Sequence, residues 1–373
     1  MNLRKDVHGG NVYRARDEYG ISIGEILDYS ANINPLGVPE SLQKAIMNNM
    51  NLLTRYPDPD YTGAKRSLAE FNHVNESNVI MGNGATEIIF LIMEVLKPKK
   101  VLIPCPSFSE YEQAALFADC EVEHYRIKEE EDYILDSRDL MESLTEDIEM
   151  LVLCNPNNPT SQIIERKPMK DILDFCREKG ITVVIDEAFI DFVDEEFNIS
   201  MVDELSVYPN LFIIKALTKI FAIPGLRLGY GIGSERLIKR LELKKQPWTL
   251  NNMASLAAEI LPKDRKYIEE TKKWIKAERL RFFSKLSSIN GIKVYEPFCN
   301  FILIKLLDDR LTSYNLCEKM AQKGILVRNA ANFIFLDEKY IRIAIKDQRS
   351  NDIFLEKFVK TLEEVKVTDG IYT

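Results

Sequence analysis

The sequence predicts an α/β fold in which a mostly parallel sheet carries helices on both faces and a smaller α+β domain follows. Two observations lead to this fold class. From about residue 78 to residue 230, short apolar runs alternate with segments of helical periodicity, which is typical of parallel strands joined by helices. From about residue 262 a long charged amphipathic helix leads into short strands and further helices, an order that indicates a second, smaller domain.

Six apolar runs in the first region are predicted strands, and the segments between them include three predicted helices. The strands are expected at residues 78–81, 100–105, 122–127, 150–155, 182–187 and 211–216. The helices are expected at residues 86–96, 111–117 and 167–179, the last with Gly180 in the position of a C-terminal cap. In the second region we expect helices at residues 264–286, 312–323 and 350–365. We therefore divide the chain into an N-terminal arm with part of the small domain (1–48), a large domain (49–250) and a small C-terminal domain (251–373).

The charge of the chain argues against a nucleic-acid binder. Of its 373 residues, 49 are Lys or Arg and 58 are Asp or Glu, giving a formal net charge of -9, whereas phosphate backbones require a basic surface. No run of about 18 apolar residues exists, so we expect no membrane span. The first residues lack the apolar stretch of a signal peptide, so we expect a cytoplasmic protein. The three histidines have no metal-ligand spacing, and no metal site is predicted.

The segment GNGATE (82–87) joins the first predicted strand to a helix. Its two glycines allow a tight turn, and the following backbone amides, with the hydroxyl of Thr86, would suit a phosphate at a helix N-terminus. Taken alone, the segment also fits an ordinary strand-to-helix turn. It is not the Gly-x-Gly-x-x-Gly fingerprint of dinucleotide-binding proteins, because Glu87 occupies the third glycine position. An NAD-binding protein is therefore disfavoured.

Three charged residues lie in or beside apolar runs. Asp186 ends a predicted strand, where a carboxylate needs a cation such as a protonated pyridine nitrogen, although a structural salt bridge or a helix cap would also serve. Lys219 follows the next strand, with Thr218 beside it, and Arg227 lies in a second apolar stretch. A lysine and an arginine in apolar surroundings imply anionic company, and a desolvated lysine becomes nucleophilic. Because ligands bind at the carboxyl ends of parallel strands, we expect these groups in one site.

Two further motifs follow strands in the same region. CPSFSEY (105–111) contains Phe108, which would stack on an aromatic cofactor or simply belong to the core. NPNNPT (155–160) contains Asn158, which would donate a hydrogen bond to a phenolate oxygen or belong to a plain turn. Each motif alone leaves both interpretations open, and the order of all the motifs along the chain is more specific.

A phosphate turn, an aromatic residue, an Asn, an Asp and a Lys followed by an Arg occur in this order at successive strand ends. This order resembles the pyridoxal 5′-phosphate (PLP) enzymes of fold type I, the class I and II aminotransferase superfamily, over residues 8 to 347. The resemblance implies the PLP-dependent transferase fold, which is aspartate-aminotransferase-like, with PLP bound by the large domain. It also implies that Lys219 holds the cofactor as a Schiff base and later moves protons, and that Asp186 keeps the pyridine nitrogen protonated.

The resemblance assigns the remaining cofactor contacts residue by residue. Asn158 would hold the ring oxygen O3′, and Phe108 would stack on the ring. The cofactor phosphate would be held by Gly84, Ala85, Thr86, Thr218 and Arg227. The segment RYPDPDY (55–61) resembles the one in which a tyrosine, here Tyr56, reaches the phosphate of the neighbouring subunit, so a homodimer is expected.

Two branches of the superfamily that act on small phosphorylated substrates match best, the L-threonine-O-3-phosphate decarboxylases of cobalamin synthesis and the histidinol-phosphate aminotransferases. Arg342 in YIRIAI resembles the arginine that grips the substrate carboxylate as a bidentate fork. Arg328 in GILVR resembles the arginine that binds the substrate phosphate. The decarboxylases are favoured by HGGN (8–11), DYSANINPLG (28–37), DEAFIDF (186–192), PGLRLGY (224–230) and KKQPWTLNN (244–252). His8 and Asn32 thereby become candidates for the substrate end of the site.

Three residues depart from the family pattern. Ala216 replaces a Ser or Thr that supplies a phosphate hydroxyl in many relatives, and Ser161 replaces the glycine that ends the Asn-Pro-Thr-Gly loop. Phe189 stands where the aminotransferases have a tyrosine that supports O3′, which favours the decarboxylase branch. Decarboxylation or transamination depends on the tilt of the bound substrate, so a histidinol-phosphate aminotransferase or another class I/II aminotransferase stays an alternative. A catalytically silent ligand sensor is disfavoured, because the sequence has no basic helix-turn-helix.

Overall fold

The computed structural model describes residues 9–368 of the chain. Within this range the strands are β1 (Leu27–Asp28), β2 (Val79–Asn83), β3 (Lys100–Cys105), β4 (Glu121–Arg126), β5 (Met150–Cys154), β6 (Thr182–Asp186), β7 (Leu211–Ala216), β8 (Leu228–Gly233), β9 (Ile292–Val294), β10 (Phe301–Leu306), β11 (Ile325–Leu326), β12 (Arg328–Asn329) and β13 (Tyr340–Ala344). The helices are α1 (Val12–Tyr19), α2 (Glu40–Asn48), α3 (Thr62–Asn72), α4 (Ala85–Leu96), α5 (Glu110–Phe117), α6 (Ser137–Ser143), α7 (Arg166–Lys179), α8 (Leu217–Ile220), α9 (Glu235–Glu242), α10 (Asn252–Ile260), α11 (Arg265–Ser287), α12 (Ser313–Gln322) and α13 (Gln348–Thr368). No helix in the described range is long and apolar enough to cross a membrane.

The larger sheet has seven strands in the order β2-β8-β7-β6-β5-β3-β4. Its neighbouring strands pair in parallel except at β8, which runs antiparallel to both β2 and β7. All the strands predicted between residues 78 and 216 form in this sheet, with bounds that differ by one or two residues at most. The prediction of a mostly parallel sheet is confirmed.

Both faces of this sheet are buried under helices. Alternate residues of one strand point to different faces, so Val183 and Ile185 join one apolar cluster while Val184 joins the other. Helices α3, α7 and α10 supply the first cluster, and α4, α5 and α9 supply the second. This arrangement explains why the strands read as continuous apolar runs rather than as alternating ones.

The sequence analysis does not predict strand β8, because its sequence LGYGIG contains three glycines, which are uncommon within strands. The glycines make room for close packing. A Cβ on Gly231 would lie 2.4 Å from the ring of Phe212, and one on Gly233 would lie 2.8 Å from it. A Cβ on Gly229 would lie 2.3 Å from the backbone nitrogen of Ala85, so β8 approaches the start of α4 closely.

The C-terminal part of the chain forms a second sheet. Its four strands run antiparallel in the order β12-β13-β10-β9. Strand β1 of the N-terminal segment pairs in parallel with β11, so this segment contacts the C-terminal part, in line with an arm that contributes to the small domain. The α+β pattern expected here is confirmed, whereas the domain boundaries at residues 48 and 250 stay predictions.

The charged residues singled out in the sequence lie at one edge of the larger sheet. Asp186 is the last residue of β6, Lys219 lies in α8 directly after β7, and Ala85 begins α4 after β2. Strands β12 and β13 of the second sheet contribute Arg328 and Arg342 to the same cavity. The candidate site is therefore built by both sheets.

Candidate active site

A cavity of about 400 Å³ lies at this edge of the larger sheet. The predicted site residues that line it are Asn32, Gly84, Ala85, Thr86, Phe108, Asn158, Asp186, Thr218, Lys219, Arg227, Arg328 and Arg342. His8 lies outside the described residues, although the next residue of the chain, Gly9, lines the cavity. Tyr56 lies elsewhere and is 82% exposed. No cluster of metal-ligating side chains occurs within the described part of the chain.

Lys219 extends from the short helix α8 into the cavity. Burial lowers the pKa of its ammonium group to about 8, and the charges of Arg342 and Arg227 add to this shift, while Asp186 opposes it. A lysine with a lowered pKa supplies the neutral amine that attacks a carbonyl carbon near neutral pH. Its Nζ lies 6.0 Å from the centre of the Phe189 ring, so an aromatic side chain stands beside the amine.

Asp186 is buried, with its two carboxylate oxygens held by different donors. The hydroxyl of Tyr111 donates to Oδ2 at 2.7 Å, and the backbone amide of Ala188 donates to Oδ1 at 2.9 Å. Burial raises the pKa of Asp186, and these two hydrogen bonds oppose the shift because they stabilise the carboxylate. The two donors fix the orientation of the carboxylate, and its buried negative charge favours binding of a cation in the cavity.

Tyr111, which the sequence does not single out, donates a hydrogen bond to Asp186. The sequence predicts only that it begins the helix at residues 111–117, although it stands three positions after Phe108 in the CPSFSEY segment. The two rings meet edge to face, with centroids 5.6 Å apart and an interplanar angle of 82°. The one indication in the sequence is that a tyrosine follows shortly after the end of β3. The direction of its hydroxyl, however, depends on how α5 packs.

The turn at residues 82–87 has the features of an anion-binding site. Gly84 precedes helix α4 with a φ of +81°, a conformation that side-chain-bearing residues rarely adopt. A Cβ at this position would lie 2.4 Å from Nη2 of Arg227, so the missing side chain leaves space beside a guanidinium group. The first amides of a helix have no partner within it, and Ala85 and Thr86 at the start of α4 line the cavity. The turn, the helix dipole and Arg227 together favour a phosphate here.

One expectation about Arg227 needs correction. Its position in the sequence between apolar residues indicated apolar surroundings, but in the structure Arg227 is exposed while Leu228 next to it is buried. The backbone of Arg227 has a φ of 57°, which turns the chain out of the preceding 3-10 turn before β8 begins. Arg227 nevertheless lines the cavity, with its guanidinium group next to Gly84.

Arg328 and Arg342 stand directly opposite each other on the antiparallel strands β12 and β13. Each is 6% exposed. Arg342 donates to the side-chain oxygen of Asn158 and, at 2.7 Å, to the backbone oxygen of Ser30. Burial and the charge of Arg328 lower the pKa of Arg342. Like charges placed opposite each other on neighbouring strands are unfavourable, so this pair indicates a site for anions.

Asn32 and Ser30 form the wall contributed by the N-terminal arm. Asn32 is buried, and its Oδ1 accepts no hydrogen bond from any described residue, which leaves an acceptor available to a ligand. Gly9 lies against Ser30, because a Cβ on Gly9 would lie 2.1 Å from the backbone oxygen of Ser30. The first glycine of the HGGN segment therefore allows a close approach to the carbonyl that accepts from Arg342.

The three departures from the family pattern have different structural consequences. Ala216 lines the cavity without a hydroxyl. Ser161 has a φ of 65°, as a glycine would allow, and its Oγ accepts hydrogen bonds from the amides of Phe298 and Cys299 at 3.0 Å, so it ties its loop to the C-terminal part. Phe189 lines the cavity, and its ring packs edge to face on another aromatic ring 4.9 Å away.

Comparison with known proteins places these features in a family. Residues 24–358 match the family model described as aminotransferase class I and II. The chain is 35% identical to the threonine-phosphate decarboxylase of Salmonella typhimurium, over 99% of this chain and 100% of that protein. Among solved structures, a histidinol-phosphate aminotransferase from Clostridium acetobutylicum matches with a TM-score of 0.85 and 36% identity, over 91% of this chain and 100% of that one. A decarboxylase from Sulfurospirillum multivorans matches with a TM-score of 0.87 and 28% identity, over 96% of this chain and 94% of that one.

These matches extend over nearly the whole chain and include both sheets. The family model covers the phosphate turn, Asp186, Lys219 and both arginines of the second sheet. The predicted fold and the predicted cofactor, PLP, are confirmed by this match. The chain belongs to the class I and II aminotransferase family of PLP-dependent enzymes.

Proposed function

We propose that this protein is a PLP-dependent decarboxylase that converts L-threonine O-3-phosphate to aminopropanol phosphate and CO2. One observation carries the proposal. Arg328 and Arg342 stand opposite each other on neighbouring strands and face the same cavity as Lys219 and Asp186. A small amino acid with two anionic groups matches this arrangement of charges.

The residues of the cavity fit PLP. Its phosphate would lie at the first turn of α4, where Gly84 leaves the space that a Cβ would fill, with Arg227 beside it. The remaining contacts are proposed as Thr86 and Thr218 for the phosphate, Phe108 for the face of the ring, Asn158 for O3′, Asp186 for the ring nitrogen and Lys219 for the aldehyde. Each chemical group of the cofactor would thus meet residues of matching character.

The chain supplies proton transfer and orientation. When bound, PLP draws electrons from the substrate α-carbon into its ring. Asp186 would keep a proton at the ring nitrogen, and Tyr111 with the amide of Ala188 would hold the carboxylate in direction. Nζ of Lys219, whose pKa is lowered to about 8, would take up and return a proton near neutral pH.

Two-point attachment would fix the orientation of the substrate. We assign the substrate carboxylate to Arg342 and its phosphate to Arg328, with Asn32 and His8 as further contacts at the phosphate end. Threonine phosphate carries both anionic groups, whereas histidinol phosphate carries only one. Phe189 has no hydroxyl that could support O3′, unlike the tyrosine of the aminotransferases, which favours the decarboxylase branch.

A paired assay on the purified protein with added PLP tests the proposal. One reaction contains L-threonine phosphate and is followed for CO2 and a primary amine product, and the other contains histidinol phosphate with 2-oxoglutarate and is followed for glutamate. We expect CO2 without any requirement for a keto acid. Glutamate without CO2 would contradict the proposal and leave the cofactor site intact.

Histidinol-phosphate aminotransferase is the second candidate. The likeness to the Clostridium acetobutylicum structure, at 36% identity, favours it. Arg328 would then bind the phosphate of histidinol phosphate, and Arg342 would bind a carboxylate of 2-oxoglutarate. The paired assay separates the two candidates because only transamination consumes a keto acid.

We further propose a cytoplasmic homodimer that serves cobalamin synthesis, in which Tyr56 reaches the cofactor phosphate of the neighbouring subunit. Tyr56 is 82% exposed in the single chain and packs on Trp248, with ring centroids 5.0 Å apart. Met47 and Leu53, a few residues away in sequence, are also largely exposed, as expected of a surface that a second subunit covers. Sedimentation at micromolar concentration should give the mass of a dimer; a monomer that is fully active would contradict this part.

A further inference from the structure

Asn332 lies in the turn after β12, at the rim of the cavity. Its side-chain oxygen accepts a hydrogen bond from Nη2 of Arg328 at 2.7 Å. The backbone oxygen of Asn329 accepts a second one from Nη1. Asn332 itself is exposed, whereas the arginine that it contacts is 6% exposed. The sequence around Asn332 indicates no role for it, whereas the structure shows its contact with Arg328.

The turn that carries Asn332 is held by its own hydrogen bonds. The side-chain oxygen of Asn329 accepts from the amide of Ala331 and from the hydroxyl of Ser313, both at 2.9 Å. The amide of Phe333 donates to the backbone oxygen of Ala330 at 3.1 Å. The Phe333 ring lies 5.2 Å from the guanidinium carbon of Arg328. These contacts hold the backbone of the turn from which the Asn332 side chain reaches Arg328.

The chemical character of these acceptors matters for an anion site. A carboxamide and a backbone carbonyl both direct a guanidinium group without cancelling its charge. A carboxylate in the same place would form a charge-assisted bidentate pair and compete with a phosphate. Arg342, directly opposite, is likewise held by an asparagine side chain and a backbone oxygen. The side-chain acceptors from Asn332 and Asn158 are thus both neutral.

We infer that Asn332 is a positioning residue that orients Arg328 toward the substrate phosphate, and that its lack of charge determines the preference for phosphorylated over unphosphorylated amines. This inference rests on the proposed phosphorylated substrate. It adds a determinant of specificity outside the two arginines, in a turn of the C-terminal part that makes no assigned contact to the cofactor.

The test measures binding of two amines to the PLP-loaded enzyme by isothermal titration calorimetry. The ligands are 1-amino-2-propanol phosphate and 1-amino-2-propanol, which differ only in the phosphate and undergo no decarboxylation. For Asn332→Asp we expect the Kd of the phosphorylated amine to rise about tenfold or more. The introduced carboxylate would pair with Arg328 and weaken the hydrogen bond from this arginine to the phosphate. The Kd of the unphosphorylated amine should change by less than about twofold, because that ligand makes no contact that depends on the Arg328 charge.

Two further variants keep the result interpretable. Asn290→Asp adds the same negative charge on an exposed turn and should leave both dissociation constants unchanged. In an Arg328→Ala background, Asn332→Asp should have little further effect, because the residue acts through that arginine. Unchanged thermal unfolding of the variants would verify that they fold.

The outcomes separate the inference from the proposed function. Equal affinity of the wild-type enzyme for both amines would contradict the proposed phosphorylated substrate. A wild-type preference that Asn332→Asp leaves intact, or an equal weakening of both ligands, would overturn the role of Asn332 alone.

Discussion

The two sides of the cavity are built by different means. On the side of the larger sheet, the phosphate turn uses a glycine, backbone amides and the start of α4, and Asp186 lies at a buried strand end. On the side of the second sheet, the proposed binding of substrate depends on two long side chains, Arg328 and Arg342, which donate hydrogen bonds to the side-chain oxygens of Asn332 and Asn158. The glycine turn has little freedom to change because backbone forms it, whereas the arginines of the second side can be altered by single substitutions.

This difference suits a family with one cofactor and many substrates. Backbone amides and a helix N-terminus bind a phosphate in the same way whatever the nearby side chains are. Arginine side chains instead select the number and spacing of anionic groups on the substrate. We therefore expect variants on the cofactor side to affect every reaction of the enzyme, and variants on the substrate side to discriminate between ligands.

Lys219→Ala should abolish the function of the cofactor side of the cavity. We expect turnover to fall by several orders of magnitude, because the variant loses both the amine that holds the cofactor and a proton-transfer group. The visible absorbance of the lysine-bound cofactor should also disappear. Lys244→Ala, at an exposed position, is the matched control and should retain both properties. A variant at position 219 that keeps a Schiff base reducible by borohydride would show that another lysine holds the cofactor.

Arg328→Ala should impair binding on the substrate side of the cavity and leave the cofactor side unaffected. We expect kcat/KM for a phosphorylated substrate to fall about 10- to 100-fold, because a charge-assisted contact is lost. The affinity for PLP should be unchanged, and weak reactions with unphosphorylated amino acids should change little. Steady-state kinetics with both substrate classes would measure this, and equal losses for the two classes would assign Arg328 another role.

Gly84→Ala tests whether the phosphate turn depends on a backbone free of a side chain at this position. A Cβ there would lie 2.4 Å from Nη2 of Arg227, and the φ of +81° disfavours a side chain. We expect the affinity for PLP to fall about tenfold, corresponding to a cost of about 1–2 kcal/mol. Gly24→Ala is the matched control, since no atom lies within 4 Å of a Cβ at that position. Equal PLP affinity of both variants in a fluorescence titration would argue against a tight turn.

Tyr111→Phe should have the mildest effect on the cofactor side. It removes the hydrogen bond to Asp186 and keeps the ring that packs on Phe108. Because that hydrogen bond lowers the pKa of Asp186, the variant should raise it further, and the carboxylate should lose charge as pH falls. We expect a few-fold lower kcat, with the acid limb of the pH profile moved to higher pH. An acid limb that stays in place would separate Tyr111 from the ionisation of Asp186.

The cofactor side could largely be predicted from the sequence, because its residues lie at the ends of strands with strong apolar patterns. The glycine turn, Asp186 and Lys219 occur in a fixed order along alternating strands and helices, and that order determines where they meet in a parallel sheet. Strand β8 was missed because its glycines, which accommodate the ring of Phe212, resemble a turn in the sequence.

The substrate side was predictable only in part. The arginines were identified by their resemblance to a family, but their cross-strand pairing follows from the register of β12 and β13, which local patterns do not specify. Tyr111 and Asn332 do not stand out in the sequence. The contact of each depends on the direction of a single hydrogen bond, which a local pattern does not predict. The contact proposed for Tyr56 involves a second chain and stays a prediction.

The central claim is that the enzyme removes CO2 from the α-carbon rather than a proton. It is tested most directly with L-threonine phosphate that carries deuterium at the α-carbon, incubated with the PLP-loaded enzyme and 2-oxoglutarate. We predict aminopropanol phosphate that retains the deuterium, detected by mass spectrometry, with no glutamate formed. Loss of the deuterium to water together with glutamate formation would contradict the account and assign the enzyme to transamination.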